Sequence, residues 1–257
     1  KRNKLLIQLS VVVVALGIIG GVGAMIAIEA ANRADAPVVD TVPANLTELG
    51  GVKIGVGLQA FTADKTPTPE ATDVATPEII VYADYQCPIC QAFEVPNSSQ
   101  LKNWVNTGAA TLEIRPLSFL DGRGTPNEYS SRAGNAAICV AEYAPNSFFD
   151  YNAILFENQP AEGTAGPCID VLVEYLDKVQ IPATEKLTSC IKNKDFGPWL
   201  LDHTSKVLST PIAGTSETVD GTPYILVNGQ RYTWKTGEEL MSPARFAQFV
   251  QAASAQQ

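Results

Sequence analysis

Histidine is almost missing from this chain: its 257 residues hold one, His203. That scarcity excludes a good deal. A structural zinc site takes four ligands, usually two Cys-x-x-Cys pairs or one such pair with histidines. Here there is a single Cys-x-x-Cys, Cys87-Pro88-Ile89-Cys90, with no second pair and no histidine close to it in sequence. No metal is expected. One imidazole also removes most hydrolase chemistry, because no serine or cysteine sits in a recognisable nucleophile motif. His203 reads as a surface residue of a helix. Basic residues are sparse too: 18 Lys and Arg stand against 27 Asp and Glu, for a net charge of −9. Three of the cations, Lys1, Arg2 and Lys4, precede the first apolar run, so the rest of the chain is more acidic still. A body with no basic stripe argues against nucleic acid and against docking on anionic lipid. The glycines at 17–23 lack a Lys-Ser/Thr ending and form no phosphate loop. No internal repeat is evident.

The length allows one core of ordinary size plus extra segments. Leu5–Ile28 is apolar apart from Gln8, Ser10 and glycines. As a helix it spans about 36 Å, enough to cross a bilayer with some tilt. The flanking cations place the N-terminus in the cytoplasm and the rest outside. A cleaved secretory signal ending near Ala34-Asp35-Ala36 is the competing reading. The run exceeds the roughly 7–15 residues of a signal core, which favours a single-pass anchor in the cell membrane. Gly17 and Gly21 make a small-residue face suited to close helix contact, so a larger membrane assembly is expected as partner.

Residues 1–30 thus read as cytoplasmic stub and anchor, and 31–77 as an extracytoplasmic tether. Thr66-Pro67-Thr68-Pro69 favours an extended chain. Val52–Val56 alternates and is read as a short β element inside the tether. Asn45-Leu46-Thr47 fits the N-glycosylation pattern. From 78 to 257 the pattern becomes globular. Ile79–Ala83 reads as a buried strand, Cys90–Val95 as a helix ended or kinked by Pro96, Ser99–Asn106 as another helix, and Leu112–Leu117 as a second strand. A helical block follows over about 127–208. Then Tyr224–Val227, the turn Asn228-Gly229 and Gln230–Trp234 make a hairpin, and Ser242-Pro243 opens a last helix.

The chemistry-bearing stretch is Cys87-Pro88-Ile89-Cys90, placed where a strand hands over to a helix. The first thiol falls at the helix N-terminus, where unpaired N–H groups and the helix dipole favour a thiolate. The second thiol lies one turn on, within reach to close a ring. The thiolate is the attacking species in disulfide exchange.

Strand, helix, strand, helical block, hairpin and helix, with the cysteine pair after the first main strand, resemble the thioredoxin fold with a helical insertion. This α/β chain is similar to the DsbA-type thiol–disulfide oxidoreductases, especially membrane-anchored members from Gram-positive envelopes. The resemblance covers about 78–255. It rests on Val81-Tyr82-Ala83-Asp84-Tyr85-Gln86-Cys87-Pro88-Ile89-Cys90 and on Gly221-Thr222-Pro223-Tyr224-Ile225-Leu226-Val227-Asn228-Gly229. It implies that the Thr222–Pro223 bond is cis and faces the cysteines, leaving a strand edge open for a substrate peptide. The residues expected at the site are Cys87, Pro88, Ile89, Cys90, Thr222 and Pro223, with no cofactor beyond the redox disulfide. Two departures stand out. The strongly oxidising members carry Pro-His between the cysteines, and Pro-Ile implies a less oxidising pair. The buried carboxylate often found six residues before the first cysteine is replaced by Val81, leaving Asp84 as the nearest acid.

Cys139, Cys168 and Cys190 remain, and an oxidising compartment implies at least one bridge among them. The residues alone allow three pairings. The resemblance implies Cys139–Cys190, leaving Cys168 as a buried, inert thiol. Two functional readings follow. In the first, the protein exchanges disulfides with protein thiols. In the second, it is an accessory subunit that docks on a membrane complex, as thioredoxin-like single-pass proteins do in the cytochrome bcc–cytochrome c oxidase supercomplex of Gram-positive bacteria.

Overall fold

The computed structural model describes residues 41–65, 76–121, 128–212 and 215–255. Leu5–Ile28 with its Gly17/Gly21 face, and the Thr/Pro stretch from Thr66, lie outside them. Among the described residues no helix is long and apolar enough to cross a membrane.

Six strands form one sheet: β1 (Val52–Gly55), β2 (Gln59–Ala60), β3 (Glu78–Ala83), β4 (Thr111–Pro116), β5 (Tyr224–Val227) and β6 (Gln230–Arg231). Their order is β2-β1-β4-β3-β5-β6. β3 and β4 run parallel, with Val81 opposite Ile114, and β5 lies antiparallel on the other side of β3. Strand side chains alternate between faces. Ile79, Val81 and Ala83 enter the larger core, whereas Ile80 and Tyr82 pack with Leu117, Val219, Tyr224 and Leu226 on the opposite face. The hairpin turn has Asn228 and Gly229 both at positive φ, 50° and 78°, as a two-residue primed turn requires.

The tether reading needs correction over 41–65. Val52–Gly55 is a strand of the central sheet, paired antiparallel with β4. Its neighbours are tied down as well. Thr47 Oγ1 donates to Glu113 Oε1 at 2.7 Å, and Asn45 Nδ2 donates to the carbonyl of Glu142 at 3.1 Å. A glycan on Asn45 would displace that bond. Gly50 shows why the segment docks closely. Its φ is +75°, and a Cβ there would sit 2.2 Å from His203 Nε2. Gly50→Ala is expected to lower unfolding stability by roughly 1–3 kcal/mol, combining backbone strain with a clash. A urea midpoint equal to wild type would refute this packing. His203 itself is half-buried and stacked on Trp199 at 4.7 Å, not a free surface residue.

Helix α1 (Pro88–Thr107) is continuous through Pro96, where two helices were expected. Proline removes one helical hydrogen bond and crowds the preceding turn. Packing carries the helix across, and one side-chain bond lies beside the proline. Asn97 Nδ2 donates to the carbonyl of Phe93 at 2.8 Å. Phe93, Asn97, Leu101 and Val105 also form one buried stripe spanning the proline.

The insertion holds α2 (Tyr129–Tyr143), α3 (Phe148–Glu157), α4 (Ile169–Lys178), α5 (Glu185–Asn193) and α6 (Gly197–Ser209). Thr184 caps α5, its side chain accepting from Leu187 N at 3.4 Å. A disulfide joins Cys139 on α2 to Cys190 on α5, the pairing implied by the resemblance. Both sulfurs are fully buried. Cys168 is a free thiol, but exposed rather than buried, because it caps the outer start of α4 just after Gly166-Pro167. Helices α7 (Gly237–Met241) and α8 (Pro243–Ser254) close the chain, with Phe246 and Val250 facing inward.

Candidate active site

The turn from β3 into α1 builds the site. Cys87 is the N-cap of α1, in extended conformation, and Pro88 is the first helical residue. Proline suits that position because its missing N–H would be unpaired there anyway. The turn is held by Cys87 N donating to the carbonyl of Asp84 at 3.1 Å. Cys87 and Cys90 are both buried, Cys87 6% exposed and Cys90 0%. Pro88 and Ile89 between them are exposed, Ile89 by 48%.

The second expected segment arrives from β5. The Thr222–Pro223 bond is cis, and Cys87 Sγ lies 3.3 Å from the carbonyl oxygen of Thr222. The structure therefore brings Cys87, Pro88, Ile89, Cys90, Thr222 and Pro223 to one place. Thr222 Oγ1 is buried there with no hydrogen-bond partner.

The two thiols have opposite electrostatics. A hydrogen bond from Cys90, helped by backbone N–H groups at the helix start, brings Cys87 down from 9.0 to about 6, against the opposing effect of burial. Burial drives Cys90 well above the ordinary thiol value, and the neighbouring Cys87 adds to that. At neutral pH, Cys87 is thus a thiolate and Cys90 a thiol. Thiolate absorbance of the reduced protein should rise with a midpoint near pH 6 and vanish in Cys87→Ser. A midpoint near the ordinary value of 9.0 would contradict the geometry.

Three glutamines hold the insertion against this turn. Gln159 Nε2 donates to the Cys87 carbonyl at 3.0 Å, and Gln91 Nε2 to the Phe156 carbonyl at 2.8 Å. Gln86 Nε2 donates to the Thr164 carbonyl at 2.9 Å. Two buried acids also flank the site, Asp84 and Glu94. Sequence reading missed Glu94, although its spacing of four from Cys90 on a helix was a usable signal. Gln159 gave no signal, being far from the motif in sequence. Among the described residues no cluster of three or more His, Cys, Asp or Glu could hold a metal ion.

Comparison with known proteins gives the family and the fold. A family model described as Thioredoxin matches residues 72–251. Oxidised DsbA from Mycobacterium tuberculosis superposes with a TM-score of 0.58 at 25% identity, covering 80% of this chain and 98% of that one. Reduced DsbG from the same organism gives 0.60 at 24% identity, covering 80% and 92%. BdbD from Bacillus subtilis gives 0.58 at 18% identity, covering 84% and 99%. Among curated proteins, the serine/threonine-protein kinase PknE of M. tuberculosis is 28% identical over 172 residues, 63% of this chain. This chain spans 30% of the length of that relative. The family model covers well over half of the sequence, and solved DsbA structures match its fold: the chain belongs to the thioredoxin family.

Proposed function

We propose that this protein is an extracytoplasmic thiol–disulfide oxidoreductase that acts on protein thiols through Cys87 and Cys90. One observation carries the reading. A buried cysteine, 6% exposed, with its pKa lowered to about 6 stands beside a wholly buried cysteine whose pKa is raised, next to the Thr222–Pro223 turn. That asymmetry assigns the roles. As a thiolate, Cys87 attacks a substrate disulfide, or in the oxidised protein its sulfur is attacked by a substrate thiolate. Either way a mixed disulfide forms. Cys90, shielded from solvent, loses its proton and attacks Cys87 within the same molecule, releasing the substrate. The neighbours support this reading: DsbG of Mycobacterium tuberculosis is a disulfide bond oxidoreductase, and MdbA of Actinomyces oris a thiol-disulfide oxidoreductase.

The proposal includes an anchor at Leu5–Ile28 that holds the domain outside the cell membrane, with Gly17 and Gly21 facing a larger membrane complex. Sequence alone supports that part. Insertion topology can be read by placing a reporter at each end of the full chain. A domain found on the cytoplasmic side would refute it. Exchange itself is tested by mixing the full chain with a reduced, unfolded secreted protein and following disulfide formation by thiol trapping. Formation should depend on both Cys87 and Cys90.

A further inference from the structure

The sheet face turned away from the thiols carries a pocket that the exchange steps above do not use. Tyr82 and Val219, both almost wholly buried, form its floor, and Leu49, Val207, Pro211 and Ile212 wall it. Its volume is about 250 Å³. The floor is held in place. Arg115 donates to Tyr82 Oη and lies over its ring at 4.9 Å, and the Tyr224 ring meets it edge-on at 6.0 Å. The loop carrying Ile212 and Val219 is fixed as well. Ile212 N donates to the Glu217 carbonyl at 2.7 Å, and Tyr224 Oη donates to Glu217 Oε2 at 2.7 Å.

Charge, size and position say what fits there. Glu48 and Lys206 stand exposed on the rim, and Lys206 is paired with Asp202 at 2.6 Å. Arg115, behind the Tyr82 ring, is bound to Glu113 at 2.7 Å. An ionic ligand therefore finds no desolvated partner, whereas an apolar group gains by leaving water. The volume is below the roughly 300–1,000 Å³ of pockets that enclose a drug-sized molecule, and suits one large side chain instead. Val219 lies three residues before Thr222, whose carbonyl oxygen is 3.3 Å from Cys87 Sγ. Three residues of extended chain reach about 10 Å. A polypeptide with its cysteine at Cys87 thus needs only a few residues to bring a second side chain past the start of β5 to the pocket.

We infer that this pocket is a substrate exosite: it takes one large apolar side chain, aromatic or leucine-like, of an unfolded polypeptide whose thiol or disulfide reacts at Cys87. The inference rests on the exchange reading above and gives its substrate class, an extended chain with an apolar residue roughly three to six positions from the reacting cysteine. Such side chains are buried in folded proteins, so the pocket selects chains that have not yet folded. It acts at a distance from the sulfurs. Filling it adds affinity and leaves the exchange chemistry as it is, so its loss is felt in the half-saturating concentration and not in the maximal rate.

The test uses reduced two-cysteine peptides in pairs, one with tryptophan and one with serine at a position roughly three to six residues from the first cysteine. The full chain, oxidised with diamide and held in neutral-lipid nanodiscs, is followed through one turnover, in which a peptide disulfide closes as the Cys87–Cys90 bond is reduced. The best-placed tryptophan peptide should half-saturate at about one-tenth the concentration of its serine partner, at equal maximal rate. Leu49→Glu, at a rim position that is 48% exposed, and Val207→Trp, which fills the space, should each erase that difference and leave the serine peptide unchanged. Equal half-saturation on the wild-type chain overturns the inference, whether lipid, another segment of this chain or nothing then fills the pocket. A preference that survives both variants overturns it too. A third readout needs no variant. A peptide with benzoylphenylalanine in place of tryptophan, and serine in place of both cysteines, should crosslink to Val207 or Ile212, and crosslinks found only elsewhere overturn the inference. Crosslinking requires no exchange, so a chain that crosslinks there but oxidises no peptide refutes the functional reading and leaves the pocket assignment standing.

Discussion

Cys87→Ser abolishes thiol–disulfide exchange, and Cys90→Ser turns the protein into a trap for its substrates. The expectation follows from the difference between the sulfurs. Serine at 87 removes the thiolate and leaves Cys90, which is fully buried and protonated at neutral pH. A thiol in that state neither meets a substrate nor attacks one. Serine at 90 leaves Cys87 able to attack, but nothing inside the molecule resolves the product. Mixed disulfides should then accumulate, visible as reducible high-mass species whose peptide link maps to Cys87. One outcome would relocate the chemistry altogether. Exchange that survives in Cys87→Ser and disappears in Cys168→Ser would place it on the exposed thiol at the start of α4.

The second large effect concerns the helical insertion. Replacing Cys139 and Cys190 together with alanine should lower unfolding stability by about 4 kcal/mol, the loop-closure value for a bridge of this span. The cysteines are 51 residues apart in sequence and link α2 to α5. Both are completely buried, so alanine adds a cavity penalty of the same sign. Denaturant unfolding of the full chain measures it. Helix α2 carries Ser130, which holds Asp84, so loosening the insertion should also disturb the active site. A midpoint unchanged by the double replacement would mean that helix packing alone holds α2 to α5.

These expectations drew unequally on sequence. The candidate site was legible because its parts are local. A strand, a cysteine pair at a helix start and a proline before a strand are each written within ten residues, and their roles depend on backbone geometry more than on distant partners. What failed depends on long-range pairing. Val52–Gly55 alternates like any short strand, but its place in the central sheet comes from β4, far along the chain. Pro96 reads as a break until the buried stripe is seen running past it. His203 looks like a surface residue because nothing near it in sequence announces Gly50. The clamp of Gln159 on Cys87 is invisible for the same reason. Asp84 stands between these cases. It was noticed as the nearest acid, yet its burial and its three donors come from three separate segments.

The central claim is that Cys87 and Cys90 form a working redox couple, and its potential tests that most directly. The full chain is equilibrated in glutathione buffers of graded ratio, and each cysteine is then read by thiol trapping and mass spectrometry. A Cys87 pKa of about 6 lies between about 3.5 for DsbA and about 7 for thioredoxin. Cys87 and Cys90 should therefore titrate together as one two-electron couple between about −120 and about −270 mV, the values of those two proteins. A pair that stays unreacted across all buffers, or that titrates as two independent thiols, would contradict the account.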